Sequence, residues 1–424
     1  MSNKFSTHIL SKGIFKVLIG AMLCFLLFIF LFPMYLDFIS KPDEDSSSYA
    51  YQEDFITDYD TIRERFLGHV DDFSSQWQQV KTFSHPIDSA DNLYIDSILL
   101  EAEETKDNLI VITTGVHGIE GYIGATMLEV FIDKFLPTLD KNNTGVLMVT
   151  NVNPYGVKYQ RRYNENNVDL NRNFIFDWSD FDLTTNTDYP KVQSFLQPTS
   201  PIGNMALHEI GFLGGVAKQV ATNGVSTLTN ALLGGQYTAS EGVYYGGTGD
   251  EKSTTYIKEV FKETLDSDYK NIIHLDLHSG YGPRYNMTIF NSQFEKMTES
   301  ETKVAFNYDT VIAADSEGFY PTNGDTTEYF YKLAEKEKAS ASLYSTCFEF
   351  GTLGDDFLSS VQSMKYTIDE NRNHWFPTSS NQTEKILGQR YMEMFFPSEP
   401  EWREKAVNDF VNATTGVLSY KLIK

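Results

Sequence analysis

Hydrophobic and polar residues divide the chain into an apolar N-terminal segment and a large mixed remainder. Residues 17–36 form an uncharged apolar run, preceded by Lys4, Lys12 and Lys16 and followed by Asp37. A helix of about 20 residues is long enough to cross the hydrocarbon layer of a membrane, so we expect a membrane-spanning helix here. The preceding lysines predict a cytoplasmic N-terminus, with the rest of the chain on the far side of the membrane.

A cleaved signal peptide is the alternative for this segment. The apolar stretch is longer than an ordinary signal-peptide core, and no small-residue cleavage pattern follows it closely. The Ser-, Asp-, Glu- and Pro-rich residues after it have little to bury and predict a solvated linker. The predicted organisation is a cytoplasmic N-terminus at 1–16, a transmembrane anchor at 17–36, a linker at 37–54 and one folded catalytic domain at 55–424.

The remainder alternates short apolar runs with helical patterns, which predicts an α/β fold. Runs of strand length occur at residues 93–100, 108–113, 145–150, 271–277 and 341–350. Helical spacing over 122–135 separates the second run from the third. Strand, helix and strand in this order indicate a parallel pair with a right-handed crossover.

The residues between and after these strand-length runs predict the helices and loops that surround the sheet. Helical patterns occur at residues 62–73, 357–368, 385–394 and 402–411. Residues 179–249 are rich in Gly, Thr, Asn and Ser, which predicts loops over the sheet with one helix near 205–220.

The composition of the chain argues against a nucleic-acid partner and against a fold held by disulfides. The chain has 34 Lys plus Arg against 58 Asp plus Glu, a net charge of -24, which repels phosphate backbones and argues against a nucleic-acid partner. Only two cysteines occur among its 424 residues, so we expect no disulfide framework. With 41% hydrophobic residues, the chain can bury a sizeable core.

Metal-binding residue types follow two of the predicted strands. His117 and Glu120 lie in Thr-Gly-Val-His-Gly-Ile-Glu-Gly (114–121), and His278 lies in His-Leu-Asp-Leu-His-Ser-Gly (274–280). Reactive groups of open α/β sheets gather beyond the carboxyl ends of strands. Two His and one Glu can bind zinc and leave a coordination position for water. Singly, each has a structural explanation, as a loop histidine or as an acidic residue in a first helical turn; together they predict one Zn²⁺ site.

Glu349 ends the last strand run, in Thr-Cys-Phe-Glu-Phe-Gly-Thr. An unpaired carboxylate is expensive in such apolar surroundings, so we expect a general base beside a zinc-bound water; the alternative is a buried Glu bonded to the backbone or to an Arg. Cys347 is expected to be a small buried hydrophobe. Asp276 would orient His278 or pair with an Arg, and His274 is expected to be a core or surface histidine.

Residues 161–174 hold three Arg and five Asn. Forked guanidinium groups on a loop suit a fixed carboxylate or a developing oxyanion. A solvated loop with Arg–Asp pairs is the alternative.

Five motifs, taken in order, resemble those of the zinc metallocarboxypeptidase superfamily. They are His-Gly-Ile-Glu (117–120), Asn-Pro-Tyr-Gly (153–156), Arg-Arg-Tyr-Asn-Glu-Asn-Asn-Val-Asp-Leu-Asn-Arg-Asn-Phe (161–174), Asp-Leu-His-Ser-Gly (276–280) and Glu-Phe-Gly-Thr (349–352). The match is closest to an uncharacterised bacterial branch, a domain of unknown function related to succinylglutamate desuccinylase and aspartoacylase. Further marks of that branch are Gly-Gly-Gln-Tyr (234–237), Tyr-Tyr-Gly-Gly (244–247) and Phe-Phe-Pro-Ser-Glu-Pro-Glu-Trp (395–402).

The resemblance implies a mixed, mostly parallel sheet between helices and a set of residue roles. His117, Glu120 and His278 would be the zinc ligands, and Glu349 the general base. Arg162 would polarise the scissile carbonyl, with Arg161 as a competitor for that role. Asn171 and Arg172 would hold the substrate's terminal carboxylate. The superfamily's mobile tyrosine stays unassigned among Tyr320, Tyr329, Tyr331 and Tyr344.

The predicted function is that of a membrane-anchored, outward-facing zinc hydrolase that cleaves a peptide or amide bond next to a free carboxylate. The first alternative keeps the zinc site and changes the substrate, to an N-acyl amino acid or a peptidoglycan peptide. The second is a cell-surface binding module without catalysis.

Overall fold

The chain begins with one long helix, α1, over Ser2–Ile39. A computed structural model describes residues 2–42, 49–316 and 322–422. Within these residues, Gly20–Ile39 is the one helical segment long and apolar enough to cross a membrane, and a signal sequence near an N-terminus has the same properties. The predicted linker lies partly outside the described residues, and its end forms a short 3-10 turn at Gln52–Asp54.

A single mixed sheet forms the centre of the domain. Its strands are β1 Val80–Asp88, β2 Leu93–Leu100, β3 Asn108–Thr114, β4 Thr144–Thr150, β5 Asn271–Ser279, β6 Met287–Asn291, β7 Val311–Ile312 and β8 Ser342–Phe350. They lie in the order β1-β2-β4-β3-β5-β8-β6-β7. The central pairs β4–β3, β3–β5 and β5–β8 are parallel, and β1–β2, β2–β4 and β6–β8 are antiparallel. The predicted mixed, mostly parallel sheet is confirmed.

Helices flank this sheet. They are α2 Tyr59–Gly68, α3 Val70–Gln76, α4 Gly121–Lys134, α5 Pro154–Lys158, α6 Tyr189–Leu196, α7 Met205–Leu233, α8 Lys252–Asp266, α9 Glu299–Phe306, α10 Thr326–Lys336, α11 Phe357–Trp375, α12 Asn381–Phe395 and α13 Pro400–Lys421. Every residue of β3, β4 and β5 is buried. Strands covered on both faces need apolar side chains on both, which explains why these strands read as continuous apolar runs.

The prediction of loops over residues 179–249 was wrong in large part. α6 lies in this region, and α7 covers the one helix expected near 205–220, breaks at Gly224 and continues as helix to Leu233. Val192 and Leu196 of α6 pack with Phe212 and Val216 of α7 in a second apolar cluster, so tertiary packing outweighs the Gly- and Thr-rich composition. The edge strand β1 was missed because most of its residues are exposed and leave no apolar run.

Close backbone contact holds the turn that follows β3. A Cβ atom at Gly118 would lie 2.2 Å from the backbone of Gly156 and 2.6 Å from the Arg161 carbonyl oxygen. These distances are too short for any side chain. The turn can therefore lie against the loop after α5 only with glycine at this position.

We expect Gly118→Ala to lower the free energy of unfolding by about 2 kcal/mol, because the added methyl group has no space. Gly388→Ala in α12 is the control, since its Cβ atom would meet nothing within 4 Å; alanine there should add about 0.5–1 kcal/mol of helix stability. Chemical unfolding of both variants measures the two changes. Equal stability of Gly118→Ala and the wild type would contradict the packing described.

Candidate metal centre

The candidate site lies at the carboxyl ends of three neighbouring parallel strands. His117 follows β3 directly and precedes a 3-10 turn over Gly118–Glu120. His278 is the penultimate residue of β5 and pairs in register with Glu349 of β8. Since β3, β5 and β8 are adjacent in the sheet, residues far apart in sequence reach one point.

Three potential ligand groups converge there. His117 Nδ1 lies 2.9 Å from Glu120 Oε1, His278 Nδ1 lies 3.0 Å from Glu120 Oε2, and the two Nδ1 atoms lie 3.2 Å apart. All three residues are buried. Ligand atoms about 2.0–2.1 Å from one tetrahedral zinc ion are about 3.3 Å from each other. The separations therefore fit a shared metal ion.

Two further carboxylates hold the outer nitrogen atoms of the imidazoles. Asp276 Oδ2 lies 2.9 Å from His278 Nε2, and Asp169 Oδ1 lies 3.2 Å from His117 Nε2. A carboxylate on one ring nitrogen fixes the ring and leaves the lone pair of the other for a metal ion. The predicted orienting role of Asp276 fits this geometry. The role of Asp169 was not predicted from the sequence, because in sequence it cannot be distinguished from a loop acid that simply pairs with an Arg.

The charges around the site keep Glu120 ionised. Burial alone would raise the pKa of Glu120, but the charges and hydrogen bonds of His117 and His278 hold it well below its ordinary value. Burial opposes the charged form of His278 as well, and the carboxylates of Asp276 and Glu120 raise its pKa well above the usual range. An anionic cluster surrounds the two imidazoles and is suited to a cation.

Arg162 is buried beside the same cluster. Its Nη2 lies 2.7 Å from His117 Nε2, its Nη1 donates to Glu120 Oε1 at 3.3 Å and its Nε donates to Asp169 Oδ2 at 2.8 Å. Arg161 instead turns away and bonds Glu370, Asn167 and Asn371. Of the two adjacent arginines, Arg162 is the one at the candidate site.

Glu349 faces the site from β8. Its Oε1 accepts a hydrogen bond of 2.9 Å from the Tyr281 backbone N–H. Burial, followed by the charge of Glu120, raises the pKa of Glu349 to about 8, while His278 and Arg162 act in the opposite direction. Cys347 Sγ lies 3.9 Å from Glu349 Oε2, and burial raises the pKa of that thiol well above its ordinary value, so it is protonated near neutral pH.

Asn171 and Arg172 lie on a 3-10 turn, Leu170–Arg172, and already have partners. Asn171 Oδ1 accepts hydrogen bonds from the Thr326 N–H and hydroxyl groups. Arg172 donates to the carbonyl oxygens of Asn171 and Leu233, and its buried Nε has no partner. Among the described residues, no carboxylate lies within ion-pair distance of Arg172.

The four tyrosines left open by the sequence differ in their surroundings. Tyr331 bonds Glu295 and the Ser345 N–H, Tyr344 bonds Asn291, and Tyr329 lies beneath Lys258. Tyr320 lies outside the described residues. Sequence reasoning also missed Tyr244, whose ring centre lies 5.3 Å from Arg162 Cζ.

His274 occupies the core beneath the candidate site. It is fully buried and bonds the hydroxyl groups of Thr113 and Ser345. Burial lowers its pKa to about 4, so the ring is neutral. It is thus a core histidine, one of the two possibilities that the sequence left open.

A mixed eight-stranded sheet carries a buried His, Glu and His cluster at its strand ends, and this cluster could hold a metal ion. Residues 55–409 match the model of the family described as Protein of unknown function (DUF2817), and the chain belongs to this family. The predicted family resemblance is confirmed. A search of curated proteins found no match.

Several solved structures are similar in fold. Bovine thrombin-activatable fibrinolysis inhibitor, in complex with tick carboxypeptidase inhibitor, is 14% identical over 85% of this chain and 99% of that chain, with a TM-score of 0.43. Carboxypeptidase A from Helicoverpa armigera is 13% identical over 82% and 77%, with a TM-score of 0.44. Succinylglutamate desuccinylase from Chromobacterium violaceum is 14% identical over 74% and 75%, with a TM-score of 0.31. Likeness at this level carries no information about activity.

We expect Asp276→Asn to weaken zinc binding by about 10- to 100-fold, because the neutral amide no longer raises the basicity of His278. The zinc dissociation constant, measured by competition with a chelator, tests this. Asp409→Asn is the matched control, because Asp409 is also buried but bonds Met287 and Lys405. Equal affinity in the two variants would contradict the orienting role.

Proposed function

We propose that this protein is a zinc-dependent hydrolase that cleaves a peptide or amide bond next to a free carboxylate. The observation that carries the proposal is the buried meeting point of His117 Nδ1, His278 Nδ1 and the Glu120 carboxylate. This donor set suits zinc and leaves a coordination position open. One zinc ion bound there would polarise a carbonyl oxygen and lower the pKa of its bound water.

Glu349 is the proposed general base. It would accept a proton from the attacking water and pass it to the leaving nitrogen. Its raised pKa supports this role, since a carboxyl group that titrates close to the working pH exchanges protons in both directions. The Tyr281 N–H fixes one carboxylate oxygen, and the other, which has only a long contact of 3.9 Å with the Cys347 thiol, would accept the proton of the reacting water.

Arg162 is the proposed partner of the developing oxyanion. Its guanidinium group is buried between Glu120 and Asp169, which anchor it beside the cluster. Charged donors fixed in a site of low dielectric stabilise a negative charge more than they would in water. Asp169 thereby serves two residues, since it also lies at His117 Nε2.

Arg172 is the proposed receptor for the substrate carboxylate, together with Asn171. A buried cation is costly unless it has an anionic partner, and in the described part of the chain Arg172 donates hydrogen bonds only to carbonyl oxygens. Its Nε also lacks a partner. A substrate carboxylate would supply the missing negative charge, after displacing the Leu233 carbonyl oxygen.

The same site would serve an N-acyl amino acid deacylase or a peptidoglycan-peptide amidase. A panel of short peptides, acyl amino acids and muropeptides, assayed with and without a chelator, separates these activities. Binding of a ligand without turnover of any of them would instead favour a non-catalytic surface module.

We infer that α1 anchors the enzyme as a single membrane span, with the hydrolase domain outside the cytoplasm. The apolar length of Gly20–Ile39 supports the span, and the lysines before it support the orientation. A cleaved signal peptide is the alternative. Extraction with alkaline carbonate leaves an anchored protein in the membrane and releases a cleaved one.

We expect Glu349→Gln to lower kcat by about 100- to 10,000-fold while zinc stays bound, because the amide cannot accept the proton. Steady-state kinetics on the best substrate of the panel measure this. Glu384→Gln, an exposed position on α12, is the control and should keep full activity. Wild-type turnover by Glu349→Gln would rule out its role as the base.

We expect Arg172→Lys to raise KM by about 10-fold or more for substrates with a free carboxylate, because an ammonium group cannot form the paired hydrogen bonds of a guanidinium group. The matched C-terminal amides should be poor substrates of both proteins. An equal rise in KM for the free-carboxylate substrates and for their C-terminal amides would show that Arg172 only supports the end of α7.

A further inference from the structure

The last three turns of α1 have two different faces. Pro33, Leu36 and Ser40 are buried against the domain, with Ile29 and Phe32 half-buried on the same stripe. The opposite face exposes six large apolar side chains: Phe30, Leu31, Met34, Tyr35, Phe38 and Ile39. The same stretch of helix therefore contacts the domain on one side and presents an apolar surface on the other.

Specific contacts fix this stretch on the domain. Asn204, which caps the start of α7, donates a hydrogen bond of 3.0 Å from Nδ2 to the Ile29 carbonyl oxygen. Arg390 Nε donates to Ser40 Oγ at 3.3 Å. Between these two bonds, α1 shares an apolar cluster with the domain, made of Leu36, Ile202, Met205, Ile386 and Leu387.

The length of the apolar segment makes these contacts informative. At 1.5 Å per residue, Gly20–Ile39 is about 30 Å long, the thickness of the hydrocarbon layer of a membrane. Ile29 lies near its midpoint. Counted from Val17, where the apolar run begins, the twelve residues before Ile29 span only about 18 Å, which is too short to cross. If α1 spans the membrane, the domain surface next to residues 29–39 lies within the outer leaflet.

α7 and α12 form that neighbouring surface. On the α12 side Lys385 pairs with Asp37 of α1, and the apolar part of the surface is the start of α7. Leu207, Ile210 and Leu213 are 49%, 49% and 62% exposed, although the helix packs against α1 at this end. Residues 201–233 contain one acidic residue, Glu209, although the whole chain has 58 acidic residues. Glu209 is neutralised by Lys365 and Arg390. An apolar face without free negative charge suits the interior of a leaflet.

We propose that the outer face of α7, at Leu207, Ile210 and Leu213, is embedded in the outer leaflet next to α1, so that the domain lies on the membrane rather than on a flexible stalk. The occupant of this face is lipid. The proposal rests on the membrane anchor and not on the zinc chemistry. Lipid is the expected occupant because α1, which contacts α7, would hold this face within the leaflet.

Depth-dependent fluorescence quenching tests the proposal on the full chain in phosphatidylcholine vesicles. An environment-sensitive dye is attached at Leu213→Cys, with Cys24 replaced by Ser. Cys347 is kept, because burial holds its thiol protonated and therefore unreactive toward the dye. The control carries the dye at Val304→Cys, which is 83% exposed on α9; α9 packs on α13 and β7. Lipids with a nitroxide on the acyl chain should quench the dye at position 213 at least about twofold more strongly than at 304, as for a helix face 5–10 Å below the headgroups.

Equal quenching at the two positions overturns the proposal, even if carbonate extraction shows that α1 is anchored. Loss of α1 by processing, seen by N-terminal sequencing, also overturns it. Ile210→Cys is the second labelling site and should give the same result as position 213. Circular dichroism and thermal unfolding are recorded for every labelled protein, so that a misfolded variant is replaced by the second site before quenching is compared.

Discussion

Two imidazole nitrogens that face each other at 3.2 Å across a carboxylate form the contact on which the candidate site depends. Each imidazole ring is fixed by a second carboxylate at its outer nitrogen. These buried carboxylates in turn require a positive charge nearby. Asp276, Asp169 and Arg162 meet these requirements. Buried charges of this kind are stable only as a complete set, so the loop around Arg162 has to close over the strand ends that carry the histidines.

The strand ends of the fold could be predicted from sequence, and so could the residues that they carry. β3 and β4 are buried on both faces and therefore appear as uninterrupted apolar runs, and in β5 only the polar residues His274, Asp276 and His278 interrupt the apolar pattern. Short-range spacing indicated that His117 and Glu120 lie together, and strand periodicity placed Asp276 and His278 on one face. The parallel order β3–β5–β8, which brings Glu349 beside His278, follows from long-range pairing. Periodicity does not indicate this order; the resemblance to a known superfamily implied a mostly parallel sheet and assigned His278 and Glu349 to one site.

Other features depended on tertiary contacts that leave little trace in sequence. α7 runs through residues whose composition is typical of loops, because its buried positions pack on α6. The backbone carbonyl that bonds Arg172 comes from Leu233, far along the chain. The sequence likewise predicts an apolar span at residues 17–36 but does not indicate that Asn204 would contact its middle. This contact fixes the middle of the apolar helix on the domain.

The central claim is that His117, Glu120 and His278 bind one zinc ion. X-ray diffraction from crystals of the zinc-loaded protein, recorded on both sides of the zinc absorption edge, tests it most directly. We predict one anomalous peak per chain, about 2.0–2.1 Å from both Nδ1 atoms and next to the Glu120 carboxylate. A zinc peak elsewhere, or no peak at this point with zinc in excess, would contradict the claim.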